Sequence, residues 1–167
     1  SFLTQFDLYR FGGETTGCPA ATGCGRIIAG SNRVWESVTG GVPTSGWKAN
    51  SYMIFDYQGK DDFKFAGLDV SINKLVMGQR TAAGWQVLSQ TVLPGSVKSD
   101  TWYGVQLFVN GLTATLAVNN ATYLSYTFTP TVVNGYSYGL NWGLVGFGSN
   151  KSRGAMDNIA VQVVPPA

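Results

Sequence analysis

The sequence contains no histidine among its 167 residues. Histidine is the side chain that ionises near neutral pH, and it supplies the general base of serine triads and many ligands of zinc and copper. Its absence excludes histidine-dependent hydrolysis and histidine-ligated metal centres.

Charged residues are also scarce. They make up 12% of the chain, half of the roughly 25% typical of soluble domains, and the formal net charge is only +2. A protein that binds DNA or RNA needs a basic surface, so the composition excludes nucleic acid as a partner. The sequence also lacks a run of 18 or more apolar residues, which excludes a membrane-spanning helix.

The ends of the sequence lack the features of a targeting segment. The first residues have neither the basic start nor the apolar stretch of a signal peptide, and there is no initiating Met. We therefore expect a mature or excised part of a longer protein. The length fits one domain, expected over residues 1–164, and the proline pair in residues 165–167 predicts the start of a linker.

Cys18 and Cys24 are the two cysteines of the chain, and they lie in a glycine-rich stretch. One interpretation is a disulfide that closes a small loop, which implies an oxidising, extracellular compartment. The other is a pair of free thiols. The pair cannot complete a zinc site, because no further cysteine or histidine is present.

Alternation of apolar and polar residues predicts many short strands. In residues 102–109, for example, Tyr103, Val105 and Leu107 face one side, and Asn110-Gly111 then predicts a tight hairpin turn. The predicted strands after residue 50 are 51–58, 63–70, 75–80, 85–92, 102–109, 112–118, 123–129, 143–148 and 155–164. No segment of ten or more residues has a helical period with caps, so we expect little or no helix.

Residues 1–50 have a weaker pattern. Residues 2–11 alternate well enough for a strand, and 26–29 and 33–38 are two further candidates for short strands. Taken with the regular spacing of the other strands, the chain is predicted to be an all-β, two-sheet antiparallel sandwich or jelly roll.

Several segments have sequences typical of one fold family. They are Tyr52-Met-Ile-Phe-Asp-Tyr-Gln58, Asp62-Phe-Lys-Phe-Ala-Gly-Leu-Asp-Val70, Asn73-Lys-Leu-Val-Met-Gly-Gln-Arg80, Gly143-Leu-Val-Gly-Phe-Gly-Ser149 and Gly154-Ala-Met-Asp-Asn-Ile-Ala-Val-Gln-Val163. Together they resemble the concanavalin A-like, laminin G-like jelly rolls of bacterial extracellular and surface proteins. The resemblance implies a non-catalytic, extracellular or cell-surface module that binds a glycan or polysaccharide or acts in adhesion. It also implies a structural calcium ion, as relatives often carry one.

The carboxylates give no support for catalysis. Glycosidases of this fold use paired carboxylates on one strand face, and the chain has only two glutamates, Glu14 and Glu36, far apart in sequence. The adjacent pair Asp61-Asp62 falls in a predicted turn, where both side chains are expected to be solvated. We therefore expect no enzymatic activity.

Asp157 is the residue that suggests a metal site. It shares strand parity with Ile159 and Val161, which predicts an inward carboxylate that needs a partner or a cation. The resemblance assigns this aspartate to the neighbourhood of the structural calcium, with Asp7 as a second ligand. The alternative is that Asp157 accepts from backbone amides or pairs with Arg153.

Aromatic residues carry the prediction of glycan binding, because sugars stack their apolar C–H faces on aromatic rings. Trp142, Tyr138 and Asn141 lie in one aromatic-rich loop, and Trp85 follows a turn. Arg80 ends the segment Met77-Gly-Gln-Arg80 and is a candidate to bind a sugar or a carboxylate, and the alternative for Arg80 is a solvated charge in a turn. The alternative for each tryptophan is packing in the core or on a sheet surface. A competing function is a structural spacer or assembly subunit, whose exposed aromatics contact neighbouring protein domains.

Overall fold

The computed structural model describes residues 2–4, 25–35, 48–140 and 143–164. Strands dominate these residues, as predicted, and they form two large antiparallel sheets packed face to face. A single 3-10 turn, Val70–Ile72, is the helical element of this part of the chain. None of its helical structure is long and apolar enough to cross a membrane.

The strands are numbered in chain order. They are β1 (Phe2–Thr4), β2 (Gly25–Trp35), β3 (Asn50–Gly59), β4 (Asp62–Asp69), β5 (Lys74–Thr81), β6 (Gly84–Thr91), β7 (Trp102–Asn110), β8 (Thr113–Val118), β9 (Ala121–Thr127), β10 (Thr131–Val133), β11 (Tyr136–Tyr138), β12 (Leu144–Gly148) and β13 (Arg153–Val164). One sheet has six strands in the order β1-β13-β2-β7-β8-β9, and the other has five in the order β12-β3-β4-β5-β6. β10 and β11 form a separate hairpin.

Each sheet contains a run of consecutive hairpins, because short turns separate strands of period two. The turn after β7 differs by one residue from the prediction. Asn110 still pairs with Thr113, and the turn consists of Gly111 and Leu112, with φ of 60° at Gly111. One positive φ at the first turn position is the type II′ geometry, which glycine adopts without strain.

The main core fills the space between the two sheets. The predicted inward row of β7 is confirmed, since Tyr103, Val105, Leu107 and Val109 are all buried. They pack with inward residues of the five-stranded sheet, including Met53, Phe55, Ala66, Leu68, Leu75, Met77 and Phe147. Trp102 is 46% exposed, as expected for the opposite face of β7.

A second apolar cluster lies on the outer face of the five-stranded sheet. Tyr52, Ile54, Phe63, Phe65 and Val76 are each at most 3% exposed, and Tyr57 and Trp85 pack against them. β3 and β4 are therefore buried on both faces, which fits their nearly continuous apolar sequence. The sequence prediction did not separate this cluster from the main core.

The amino-terminal strands differ from the prediction. The candidate 26–29 and residues 33–35 of the candidate 33–38 belong to one strand, β2, which pairs with β13 on one side and β7 on the other, and residues 36–38 lie outside the described residues. Partners on both sides fix β2 as a continuous strand despite its Gly30 and Ser31. Of the predicted strand 2–11, residues 2–4 are described and form β1 against β13.

Candidate functional site

Trp85 and Arg80 lie together in an open cleft on the outer face of the five-stranded sheet. The cleft has a volume of about 290 Å³ and is lined by Lys60, Asp61, Phe63, Arg80 and Trp85. The Arg80 guanidinium carbon lies 5.9 Å from the centroid of the Trp85 ring. Arg80 Nη2 donates to Asp61 Oδ1 at 3.2 Å. We call this site the Trp85–Arg80 cleft.

Two turns at the same end of the sheet build the cleft. Arg80 and Trp85 are directly paired across the β5–β6 hairpin, whose turn begins after Thr81. The neighbouring β3–β4 hairpin turns at Lys60 and Asp61, and Phe63 pairs with Arg80. Residues predicted one by one from the sequence are therefore brought together by strand register.

Aromatic neighbours hold the Trp85 ring in place. Phe63 and Phe65 present ring edges to it, with centroid distances of 5.3 and 4.9 Å, and Tyr52 lies at 5.7 Å. Edge-to-face contacts of this kind stabilise a pair by about 0.5–1.5 kcal/mol beyond the buried area. The indole is therefore a fixed platform with one part exposed to solvent.

The charges of the cleft are only partly neutralised. Lys60 and Arg80 are cationic and Asp61 is anionic, and both members of the Arg80–Asp61 pair are substantially exposed to water. Arg80 Nε is buried and has no hydrogen-bond partner among the described residues. The cleft thus combines an apolar platform, a carboxylate acceptor and, at Arg80 Nε, an N–H donor without a partner among the described residues. This combination is typical of a ligand site.

A buried ion pair lies on the opposite face of the same sheet, and the sequence analysis missed it. Lys64 Nζ donates to Asp56 Oδ2 at 2.8 Å, and Gln58 Nε2 donates to Asp56 Oδ1 at 3.0 Å. Asp56 is 2% exposed and Lys64 is 7% exposed. Burial raises the pKa of Asp56, and the nearby Lys64 opposes that rise. The sequence does contain a signal for this pair. Lys64 has the same strand parity as Ala66 and Leu68, which face the core, so the alternation predicts that Lys64 points inward and needs a buried partner.

Asp69 is a second buried carboxylate, at the far end of β4. It accepts hydrogen bonds from the Tyr52 hydroxyl and the Ser71 amide, both at 3.1 Å. Burial raises the pKa of Asp69, and it raises the pKa of Tyr52 well above its usual value, with the Asp69 charge adding to the effect on Tyr52. The native state therefore binds the Asp69 proton more tightly than the unfolded chain does.

We expect Asp69→Asn to flatten the pH dependence of stability. An acid with a raised native pKa stabilises the fold below the unfolded pKa of ~3.9, and this contribution is lost as pH rises through the native pKa. Asparagine keeps the acceptor for Tyr52 and Ser71 but does not titrate. Urea unfolding at a series of pH values from 4 upward measures the slope of the unfolding free energy against pH. Tyr52→Phe should make this slope steeper, because the hydroxyl that it removes stabilises the charged form of Asp69. If Asp69→Asn has the same slope as the wild type, the pKa of Asp69 is not raised in the native state.

Tyr138, the other predicted ligand residue that the structure describes, is not part of this cleft. Tyr138 lies on β11, where its ring contacts Tyr136 at 4.7 Å, and it does not line the Trp85–Arg80 cleft. Asn141 and Trp142 lie outside the described residues. Their role in binding therefore stays a prediction.

The predicted orientation of Asp157 is wrong. Its side chain is exposed and accepts a hydrogen bond from the Asn158 amide at 2.8 Å. The register with β2 shifts between Asp157 and Ala160, so a bulge reverses the strand parity used for the prediction. Met156 is the inward residue, at 3% exposed.

Other predicted chemistry falls outside the described residues. Asp7, Cys18 and Cys24 belong there, so the calcium ion and the disulfide stay predictions. Glu14 and Glu36 also belong there. In the described part of the chain, no three acidic or cysteine side chains come together as a metal site.

No protein-family model matches this sequence, and no curated protein matches it significantly. Solved structures do match in fold. The carbohydrate-binding module CBM66 from Bacillus subtilis is 10% identical with a TM-score of 0.65, and the match covers 96% of both chains. The chain has a concanavalin A-like jelly-roll fold.

Two lectins are further matches to this jelly roll. The galectin LEC-6 from Caenorhabditis elegans is 11% identical with a TM-score of 0.55, over 93% of this chain and 95% of the galectin. Congerin II, solved with lactose, is 9% identical with a TM-score of 0.55, over 89% of this chain and all of congerin II. Identities this low establish a shared fold, and function must be argued from the site.

Proposed function

We propose that this jelly roll is a non-catalytic carbohydrate-binding module and that the Trp85–Arg80 cleft binds a sugar. The observation that carries the proposal is the cross-strand pair itself, in which a fixed, partly exposed indole lies 5.9 Å from a guanidinium. The apolar C–H face of a pyranose or furanose ring stacks on such a platform. Arg80, Lys60 and Asp61 then offer donors and an acceptor for its hydroxyls.

The matched structures support the sugar class. One is a carbohydrate-binding module, and one was solved with lactose bound. An open cleft of about 290 Å³ has room for one or two sugar units. We also propose an extracellular or cell-surface location, on the basis of the low charge and the cysteine pair.

Trp85→Ala is expected to weaken sugar binding by about 2 kcal/mol, or roughly 30-fold in Kd, because it removes a central aromatic anchor. Arg80→Lys keeps the charge but loses the planar guanidinium, whose Nη2 donates to Asp61, so we expect a smaller loss of affinity. Isothermal calorimetry against a panel of neutral and acidic oligosaccharides measures the sugar affinity of both variants. Val132→Ala is the control, since Val132 is 59% exposed on the separate hairpin. Wild-type affinity in Trp85→Ala would rule the cleft out.

A structural role in an assembly is the second candidate, and one observation favours it. β6 is the edge of the five-stranded sheet among the described strands, and Val87 and Leu88 on it are 46% and 36% exposed. An apolar sheet edge is a ready surface for pairing with another protein. Leu88→Lys would disrupt such pairing and leave sugar binding intact, and light scattering across a concentration series distinguishes the two candidates.

A further inference from the structure

The outward row of β7 is a second exposed aromatic surface, on the six-stranded sheet. Trp102, Gly104, Gln106 and Phe108 alternate with the buried row of this strand. Trp102 is 46% exposed and Phe108 is 37% exposed. At about 3.4 Å per residue the two rings lie roughly 20 Å apart along one strand, a length that suits an oligosaccharide of several units.

The three strands β7, β8 and β9 of this surface carry no charged residue. The sequence from residue 101 to residue 150 contains no Asp, Glu, Lys or Arg, and that range includes all of β7, β8 and β9. The exposed face of β8 and β9 instead presents hydroxyl pairs, Thr113 with Thr127 at 2.8 Å and Thr115 with Ser125 at 3.1 Å. Solvated protein surfaces ordinarily mix charges of both signs, so a neutral face of this extent is unusual.

A shallow depression interrupts the row between the two aromatic rings. It has a volume of about 280 Å³, and its lining includes Gly104, Gln106, Asn119, Asn120 and Asn158, all of them uncharged. The Asn119 side-chain oxygen accepts from the Gly104 amide at 2.9 Å, which fixes one wall. Because Gly104 has no side chain, the floor of the depression is backbone.

We propose that this surface binds a neutral polysaccharide chain that runs along β7, separately from the Trp85–Arg80 cleft. We call it the neutral β7 face, defined by Trp102, Gly104, Gln106, Phe108 and Asn120. The two rings stack on sugar units at either end, and the carboxamides around Gly104 donate to and accept from the hydroxyls between them. A neutral ligand fits because Arg33, the charged residue beside Trp102, is already paired with Asp100, and the residues that define the face offer no charge to offset the desolvation of an ionic ligand.

One charged residue, Arg33, lies beside the neutral β7 face, where it pairs across strands with Trp102 at one end of the face. Arg33 lies 6.0 Å from the Trp102 ring centroid and pairs with Asp100. Asp157 and Arg153 are exposed on β13, two strands away from β7. The centre of the face therefore consists of amides, hydroxyls and aromatic rings.

Two variants test the neutral β7 face without disturbing the core. Trp102→Ala removes one stacking platform. Gly104→Lys fills the depression with a charged chain, and a Cβ there has room, since its nearest neighbour is Asn119 Oδ1 at 3.6 Å. Val132→Lys adds the same charge on the exposed hairpin and is the matched control. Thermal unfolding of each variant confirms that the fold is kept, and Trp102→Phe retains a ring if the alanine variant is unstable.

The assay is retardation of the full chain in native gels that contain a soluble mixed-linkage glucan, a galactomannan or the acidic polymer polygalacturonate. We expect a neutral polymer to retard the wild type, Trp102→Ala and Gly104→Lys each to weaken this about tenfold, and Val132→Lys to leave it unchanged. Trp85→Ala should retain part of the binding, and Trp85→Ala with Trp102→Ala should abolish it.

Several outcomes would overturn the proposal. One is that Trp102→Ala and Gly104→Lys are both retarded as strongly as the wild type. Another is that Trp85→Ala alone abolishes polymer binding. A third is that neither neutral polymer retards the wild type. A wild-type dimer that Trp102→Ala dissociates, with polymer binding unaffected, would make the face a protein contact instead. If Trp85→Ala binds normally while Trp102→Ala does not, the cleft fails as a sugar site and the neutral β7 face stands.

Discussion

Lys64→Ala is expected to destabilise the protein by about 3–5 kcal/mol, because it leaves the Asp56 carboxylate buried without its cation. Lys64 Nζ lies 2.8 Å from Asp56 Oδ2, and the two side chains are only 9% and 4% exposed. A domain of this size is stabilised by about 5–15 kcal/mol in total. The loss is therefore a large fraction of the stability, and urea unfolding at neutral pH measures it.

A double variant separates the lost partner from the lost packing. Asp56→Asn with Lys64→Met removes both charges and keeps an acceptor for Gln58, and asparagine tolerates the left-handed φ of 47° at this position. We expect it to recover most of the stability that Lys64→Ala loses. Lys98→Ala, at an exposed lysine, is the control. If Lys64→Ala and Lys98→Ala unfold at the same urea concentration, the ion pair is not a buried one in solution.

Phe65→Ala should cost a similar amount, about 3–5 kcal/mol, since Phe65 is 1% exposed at the centre of the outer-face cluster. Its ring lies 4.9 Å from that of Trp85 and 4.8 Å from that of Tyr52, between centroids. Gly78 makes room for it, because a Cβ at that position would come within 2.8 Å of the Phe65 ring. Truncation therefore leaves a cavity with aromatic walls.

The same position links stability to the proposed sugar site. Phe65→Leu retains most of the volume, so we expect a stability loss of less than about 1.5 kcal/mol. Trp85 nevertheless loses an edge contact that fixes its ring. The free energy of sugar binding should therefore fall by more than the free energy of unfolding does. Phe108→Ala, at a ring 37% exposed, is the stability control. Equal unfolding midpoints for Phe65→Ala and Phe108→Ala would contradict the buried position of Phe65.

Sequence predicted the fold well where a strand has one buried face. In β7 the period of two places Tyr103 and Leu107 in the core and Trp102 in solvent, and the structure agrees. Prediction failed where pairing with a distant strand decides the geometry. β2 is continuous because β13 and β7 both pair with it, and Asp157 faces solvent because a bulge in β13 reverses the alternation.

The candidate site was predictable only in part, for a related reason. Arg80 and Trp85 were each identified by residue type, but their pairing depends on the register of the β5–β6 hairpin. Asp61 was assigned to a turn, and nothing local in the sequence indicates that this turn lies beside Arg80. The outer-face cluster was missed because apolar residues on both faces of β3 and β4 give a continuous pattern rather than an alternating one.

The position of β13 between β1 and β2 has a consequence for biosynthesis. β2 begins at Gly25 and pairs there with Val164, so this contact joins residues separated by almost the whole sequence. A ribosome releases β2 long before β13, and until then one edge of β2 is unpaired. Sandwiches with such distant pairings fold in milliseconds to seconds rather than microseconds. We therefore expect the nascent chain to need protection of that edge, and a chain truncated before β13 to aggregate.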